Sequence, residues 1–169
     1  MASGKPKHSP RRAAAVICRI LGTVILLAVL AVCLPLSVPK LAGYQVYDVV
    51  SGSMEPSIPV NSIVLVQTAA PEELQPGEII AYQSGDSVVV HRLVENHVVE
   101  GELITKGDAN AEPDPLKVDY SSALGTVAMH IPFIGIYAGA LNTLTGKLYA
   151  FGFIVAAAML YLLAGELSE

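Results

Sequence analysis

The chain has 169 residues, 53% of them hydrophobic and 15% charged, with a formal net charge of −5 and a mean hydropathy of +0.54, which is room for one modest domain plus membrane segments and too apolar for an ordinary soluble one. Residues 1–40 carry Lys5, Lys7, Arg11, Arg12, Arg19 and Lys40 and no acid, whereas residues 41–146 carry thirteen acids against Arg92, Lys106 and Lys117. With no basic surface interleaved with aromatics, this segregation argues against a nucleic-acid partner, and bases abutting an apolar run follow the positive-inside pattern of a membrane protein.

Residues 1–12 are polar, basic and proline-containing, and read as a cytoplasmic tail without regular structure. Residues 13–38 are apolar except for Arg19 near the tail end, where a long side chain snorkels to the headgroups. A span needs roughly 20 apolar residues, so this segment is expected to be a transmembrane anchor. A basic stretch also precedes cleaved secretory signals, but the apolar run is too long for one, and Pro35-Leu36-Ser37-Val38-Pro39 is a poor small-residue cleavage site. Cys18 and Cys33 both fall in the anchor, about 20 Å apart along a helix and too far to pair.

Residues 41–130 are expected to form an extracytoplasmic β domain. Short β-rich runs separated by turn signals place strands at Tyr44–Val50, Ser62–Gln67, Glu78–Gln83, Ser87–Glu95, His97–Glu100, Glu102–Lys106 and near Ala123–Val127. Pro56, Pro59-Val60-Asn61, Gln75-Pro76-Gly77 and Ser84-Gly85-Asp86 punctuate them, and Asn96 and Gly101 read as two reversals. The expected fold class is mostly β, a small and partly open antiparallel barrel flanked by N-terminal and C-terminal transmembrane helices. Residues 131–147, broken by Pro132 and three glycines, read as a membrane-proximal connector, residues 148–165 as a second transmembrane helix at the short end for a span, and residues 166–169 as a cytoplasmic tail. Two spans return both ends to one side. The basic tail makes that side the cytoplasm and turns the β domain outward.

The candidate chemistry begins at Val50-Ser51-Gly52-Ser53-Met54-Glu55-Pro56. A serine hydroxyl is a poor nucleophile until a base takes its proton. Gly52 leaves room for a substrate backbone at Ser53. In an extended stretch Ser51 shares a face with Ser53, so its hydroxyl joins the Ser53 N–H as an oxyanion donor. The candidate base is His91, in Val88-Val89-Val90-His91-Arg92-Leu93-Val94, since imidazole suits proton transfer near neutral pH. His8, His97 and His130 lie in the tail, at a turn and before the connector. A third group is needed to orient the imidazole, and the loop from Lys106 to Asp114 offers Asp108 and Asp114. Lys106 could serve as a base if buried; beside Gly107-Asp108 it is expected to make a structural ion pair instead.

The segments Ser51-Gly52-Ser53-Met54-Glu55-Pro56, His91-Arg92 and Thr105-Lys106-Gly107-Asp108, in this order, resemble the boxes of type I signal peptidases, and more narrowly those of the ER/archaeal-type branch that includes the SipW-like bacterial enzymes. The resemblance covers roughly residues 44–136 and the preceding anchor. It implies that Ser53 is the nucleophile and Ser51 its oxyanion partner, that His91 stands where the larger bacterial branch has lysine, and that Asp114 orients His91 while Asp108 holds the loop together. The family pattern of Gly-Asp-Asn-Asn followed by paired acids is altered here to Gly107-Asp108-Ala109-Asn110 and then Pro113-Asp114-Pro115. The implied reaction is cleavage of exported preproteins after small residues at −1 and −3, in shallow pockets for which Ile58 and Val90 are the candidate lining. No metal or cofactor is implied. The implied partners are signal-peptide-bearing preproteins and the lipid bilayer, in the neighbourhood of a translocon, and the implied location is a cell membrane, a prokaryotic plasma membrane rather than an ER complex. The rivals are a self-cleaving regulatory protease on the same scaffold, disfavoured by two membrane segments, and a non-catalytic membrane adaptor, which would have no use for Ser53, His91 and both acids together.

Overall fold

The computed structural model describes residues 10–168. They divide into two compact units, one made of the described residues up to Leu34 together with those from Leu141 on, the other of Pro35–Ala140.

The helical unit is built on the two apolar segments. Helix α1 runs over Pro10–Leu41, opening on a proline, which needs no N–H in a first turn, and carrying Pro35 and Pro39 in its last two turns. Most of the expected basic tail lies outside the described residues, but Pro10, Arg11 and Arg12 are helical. The C-terminal helix takes in Leu144–Ser168, longer than the seventeen-odd apolar residues suggest, because helix continues into both flanks. Both helices are long and apolar enough to cross a membrane, with mean hydropathies of 2.7 and 2.1 over their best windows. They approach closely at Gly22, where an added Cβ would stand 3.2 Å from the Ala157 carbonyl oxygen. Thr23 Oγ1 meets Tyr161 Oη at 2.7 Å nearby. A small residue and a polar pair at the crossing are the usual means of holding helices together in lipid, where apolar burial gives no preference.

The second unit is a seven-stranded, wholly antiparallel sheet. Its strands are β1 (Gln45–Asp48), β2 (Ile63–Gln67), β3 (Ile79–Ser84), β4 (Ser87–His97), β5 (Glu102–Lys106), β6 (Val118–Asp119) and β7 (Ala123–Ile131), in the order β1-β2-β7-β3-β4-β5-β6. β1 and β6 have one partner each, so the sheet is open. Helix α2 (Gly135–Asn142) follows and occupies much of the expected connector.

Alternation sorts the core. Ile80, Tyr82, Leu93, Leu103 and Val118 pack with Leu74 on one side of β3–β6, and Val64, Val66 and Ala81 pack with Met54 and Ile58 on the other. A third cluster joins Ile63 and Leu65 to Ala138 of α2. β2 is therefore covered on both faces, which is why Ile63-Val64-Leu65-Val66 reads as a continuous apolar run rather than an alternating one. Irregularities break the register between Leu65 and Val66, between Ala81 and Tyr82, and between Leu93 and Glu95. At the β3–β7 irregularity only glycine fits position 125, since φ is +143° and a Cβ would fall 2.0 Å from the Gln67 carbonyl oxygen.

Two expectations are corrected. Asn96 does not mark a reversal, and His97–Glu100 is not a separate strand; β4 runs unbroken to His97. The Asn96 side chain finds tertiary partners instead, donating to the carbonyls of Pro71 and Leu74 and accepting from Tyr120. The chain turns over at Gly101, where φ is +71°.

Candidate active site

β1 ends at Asp48, and the chain then enters a run of bends and turns. Two buried side chains pin this run to the core, Met54 at 1% exposure and Ile58 at 0%. Hydrogen bonds from Glu55 N–H to the Gly52 carbonyl and from Ile58 N–H to the Met54 carbonyl close it, and the Glu55–Pro56 peptide is cis. Ser51 and Ser53 thus do not lie in an extended stretch, contrary to expectation. The turn still brings their hydroxyls together, Oγ to Oγ at 3.3 Å. Among the described residues nothing accepts the Ser53 N–H, so this donor is free.

His91 lies on β4 opposite Ile80 of β3 and is 9% exposed. Its Nδ1 is 2.5 Å from Asp114 Oδ2, which fixes the ring and leaves Nε2 as the nitrogen able to serve a substrate or a hydroxyl. The same carboxylate oxygen accepts from Thr105 Oγ1 at 2.6 Å and from Tyr82 Oη at 3.4 Å. Tyr82 also stacks edge-on against the imidazole, with centroids 6.4 Å apart. Burial pushes the Tyr82 phenol above its ordinary value, so it stays protonated as a donor.

Asp108 has a different partner. Arg92, the residue after His91, grips it with a two-point fork, Nε to Oδ1 at 2.8 Å and Nη2 to Oδ2 at 2.6 Å. A planar guanidinium matches a carboxylate in this way. The hydrogen bonds from Arg92 hold the Asp108 carboxyl below the usual carboxylate range. A third bond, from Arg92 Nη1 to the Gly77 carbonyl at 2.7 Å, ties the fork to the turn before β3. The expected ion pair of Lys106 is not formed with Asp108. Lys106 Nζ instead donates to the Ala111 carbonyl at 2.9 Å, inside its own loop.

That loop is also the seat of the serine turn. The Ala109 N–H donates to the Ser53 carbonyl at 2.9 Å. The loop is anchored behind by a bond from Asp114 N–H to the Thr105 carbonyl at 2.8 Å. Ser53 and His91 line one cavity of about 330 Å³, together with Tyr47, Val49, Ser51, Met54, Ile58 and Val90 among others. The two candidate lining residues, Ile58 and Val90, are both in this wall. Alternation along β4 places Val88 and Val90 on the side of the Met54–Ile58 cluster, whereas His91 falls in register with Leu93, which packs in the other cluster. No hydrogen bond joins Ser53 Oγ to His91 among the described residues; Ser53 Oγ is bonded to Ser51.

Tyr82, Thr105 and the Arg92 fork complete the site without being marked by their residue types as its members. Thr105 and Arg92 sit inside the singled-out segments. Tyr82 carries no local signal, because its approach to His91 depends on the pairing of β3 with β4.

Two comparisons bear on the site. The family described as Peptidase S24-like matches residues 35–128, which include the serine turn, β4 and the acidic loop. Signal peptidase I W of Bacillus subtilis (strain 168) is 38% identical over 84 residues, covering 47% of this chain and 44% of that protein. The match thus spans less than half the length of this relative.

Proposed function

Because the chain belongs to the Peptidase S24-like family, we propose that it is a membrane-bound serine endopeptidase that removes N-terminal signal peptides from exported preproteins, cleaving after small residues at −1 and −3. Similarity to a signal peptidase supports this reading, as do two helices long and apolar enough for a bilayer. The single observation that carries it is the pairing of His91 with Asp114 at 2.5 Å beside a cavity that Ser53 also lines.

In this reading His91 Nε2 takes the proton of Ser53 Oγ as the oxygen attacks the scissile carbonyl carbon. The Nδ1–H stays hydrogen-bonded to Asp114, which steadies the imidazolium. The oxyanion turns to the free Ser53 N–H and to the Ser51 hydroxyl, donors whose loss typically costs about 3–4 kcal/mol of barrier each. His91 then protonates the leaving amine, and the acyl ester on Ser53 is hydrolysed by a water that His91 deprotonates. Ile58 and Val90 narrow the cavity against bulky side chains. The β domain works on the extracytoplasmic face of a cell membrane that both helices span.

Incubating the detergent-solubilised protein with a model preprotein and sequencing the new N-terminus tests the reading. A single cut after a small residue, with another small residue two positions before it, is the expected product. No cut, or cuts scattered through the mature region, would contradict it.

A further inference from the structure

The Asp114 carboxylate stands behind His91 with 14% side-chain exposure, and such a group holds one orientation only where donors fix it. Thr105 supplies the fixing from two directions. Its carbonyl accepts the Asp114 N–H at 2.8 Å, and its hydroxyl donates to Asp114 Oδ2 at 2.6 Å. Thr105 is itself fully buried, at 0% exposure on β5 opposite Leu93, two residues along from His91. A hydroxyl has one proton to give. The alternative acceptor, Tyr82 Oη, is 3.4 Å away, so that proton goes to Asp114, and Tyr82 can direct its own proton to the same oxygen.

We infer that Thr105 is a positioning residue for the proposed hydrolysis: its hydroxyl aims Asp114 Oδ2 at His91 Nδ1, and Tyr82 closes the same oxygen from the ring side. The inference rests on the peptidase reading for its kinetic consequence, but not for its structural one. Valine at position 105 keeps the shape and removes only the donor. The carboxylate then loses its shortest hydroxyl partner and is free to turn away from the imidazole, while the cavity that binds substrate is untouched. Serine at 105 restores the donor with a smaller side chain.

The test uses full-length protein in detergent with ¹⁵N-labelled histidine. The low-field proton resonance of His91 Nδ1–H, bonded to Asp114, should be present in the wild type and in Thr105→Ser, and shifted upfield or lost by exchange in Thr105→Val. On a preprotein substrate, Thr105→Val should lower kcat about tenfold with KM unchanged, and Thr105→Ser should recover most of it. An unaltered resonance and unaltered kcat in a folded Thr105→Val would overturn the inference. Equal losses in folded Thr105→Val and Thr105→Ser would also overturn it, by showing a packing role. If the wild type cleaves no preprotein, the peptidase reading fails while the resonance still decides whether Thr105 sets the imidazole.

Discussion

Gly107 stands so close to Ser53 that a Cβ at position 107 would lie 2.7 Å from the Ser53 carbonyl oxygen. The next contact, from the Ala109 N–H to that same oxygen at 2.9 Å, locks the serine turn onto the acidic loop. Gly107→Ala must therefore push the two apart, since the Ser53 oxygen is backbone and cannot swing aside, whereas the Asn110 amide, 2.8 Å from the added carbon, can turn away. A loss of ~1–3 kcal/mol in unfolding free energy is expected, with a fall in cleavage rate larger than that of stability-matched substitutions remote from the site. Chemical denaturation and a preprotein assay on the same sample check this.

The two acids divide their work by partner. Asp114→Asn removes the charge and puts an amide NH2 where a carboxylate oxygen stood, which invites the wrong tautomer of His91, so kcat should fall about 10³–10⁴-fold with modest change in KM. Asp108→Asn leaves His91 and Asp114 in contact and loosens Arg92, so its effect should appear mainly in stability and loop mobility. Equal and very large kinetic losses in both, with both folded, would contradict this division.

The Arg92–Asp108 fork also predicts a pH signature of stability. Asp108 has its carboxyl depressed in the folded state by the hydrogen bonds of Arg92. Its contribution is fully present above the ordinary carboxylate value of about 3.9 and is lost as pH falls through the lower folded value. The stability gap between wild type and Asp108→Asn should therefore hold from neutral pH down to that range and close below it. Arg92 is 36% exposed, so solvent screens the pair and the gap should be on the order of 1 kcal/mol, shrinking in high salt. Melts of both proteins across acidic pH read it directly.

Lys106 is held by the Ala111 carbonyl and is not among the residues that line the cavity with Ser53 and His91. Lys106→Met should keep cleavage within about threefold of wild type. An activity that appears only well into the alkaline range and vanishes in Lys106→Met would reassign the base.

Much of the sheet is legible in the residues because strand and turn signals agree locally. Ile63–Gln67, Ile79–Ser84 and Glu102–Lys106 are β-branched or apolar runs set off by proline, glycine or asparagine. The reading goes wrong at Asn96, where a residue favoured in turns is used for its two side-chain donors and one acceptor, all satisfied across the fold. β6 escapes notice because two residues, Val118 and Asp119, show no periodicity. At the site, the serine turn, His91 and the acidic loop stand out by their types and order. The partners that hold them do not. Tyr82 meets His91 only through the register that pairs Ile80 with His91, and a threonine such as Thr105 suits any strand. The meeting of Ser51 with Ser53 comes from a turn anchored by Met54 and Ile58, a consequence of core packing that spacing alone does not contain.

The proposed hydrolysis starts at the Ser53 hydroxyl, acting as the nucleophile. Ser53→Ala removes one half-buried oxygen and should leave the melting temperature within about 2 °C. Measured on a preprotein beside the wild type at matched protein concentration, its cleavage rate should drop by at least about 10⁴-fold. Cleavage by Ser53→Ala at the wild-type rate and the wild-type position would contradict the account.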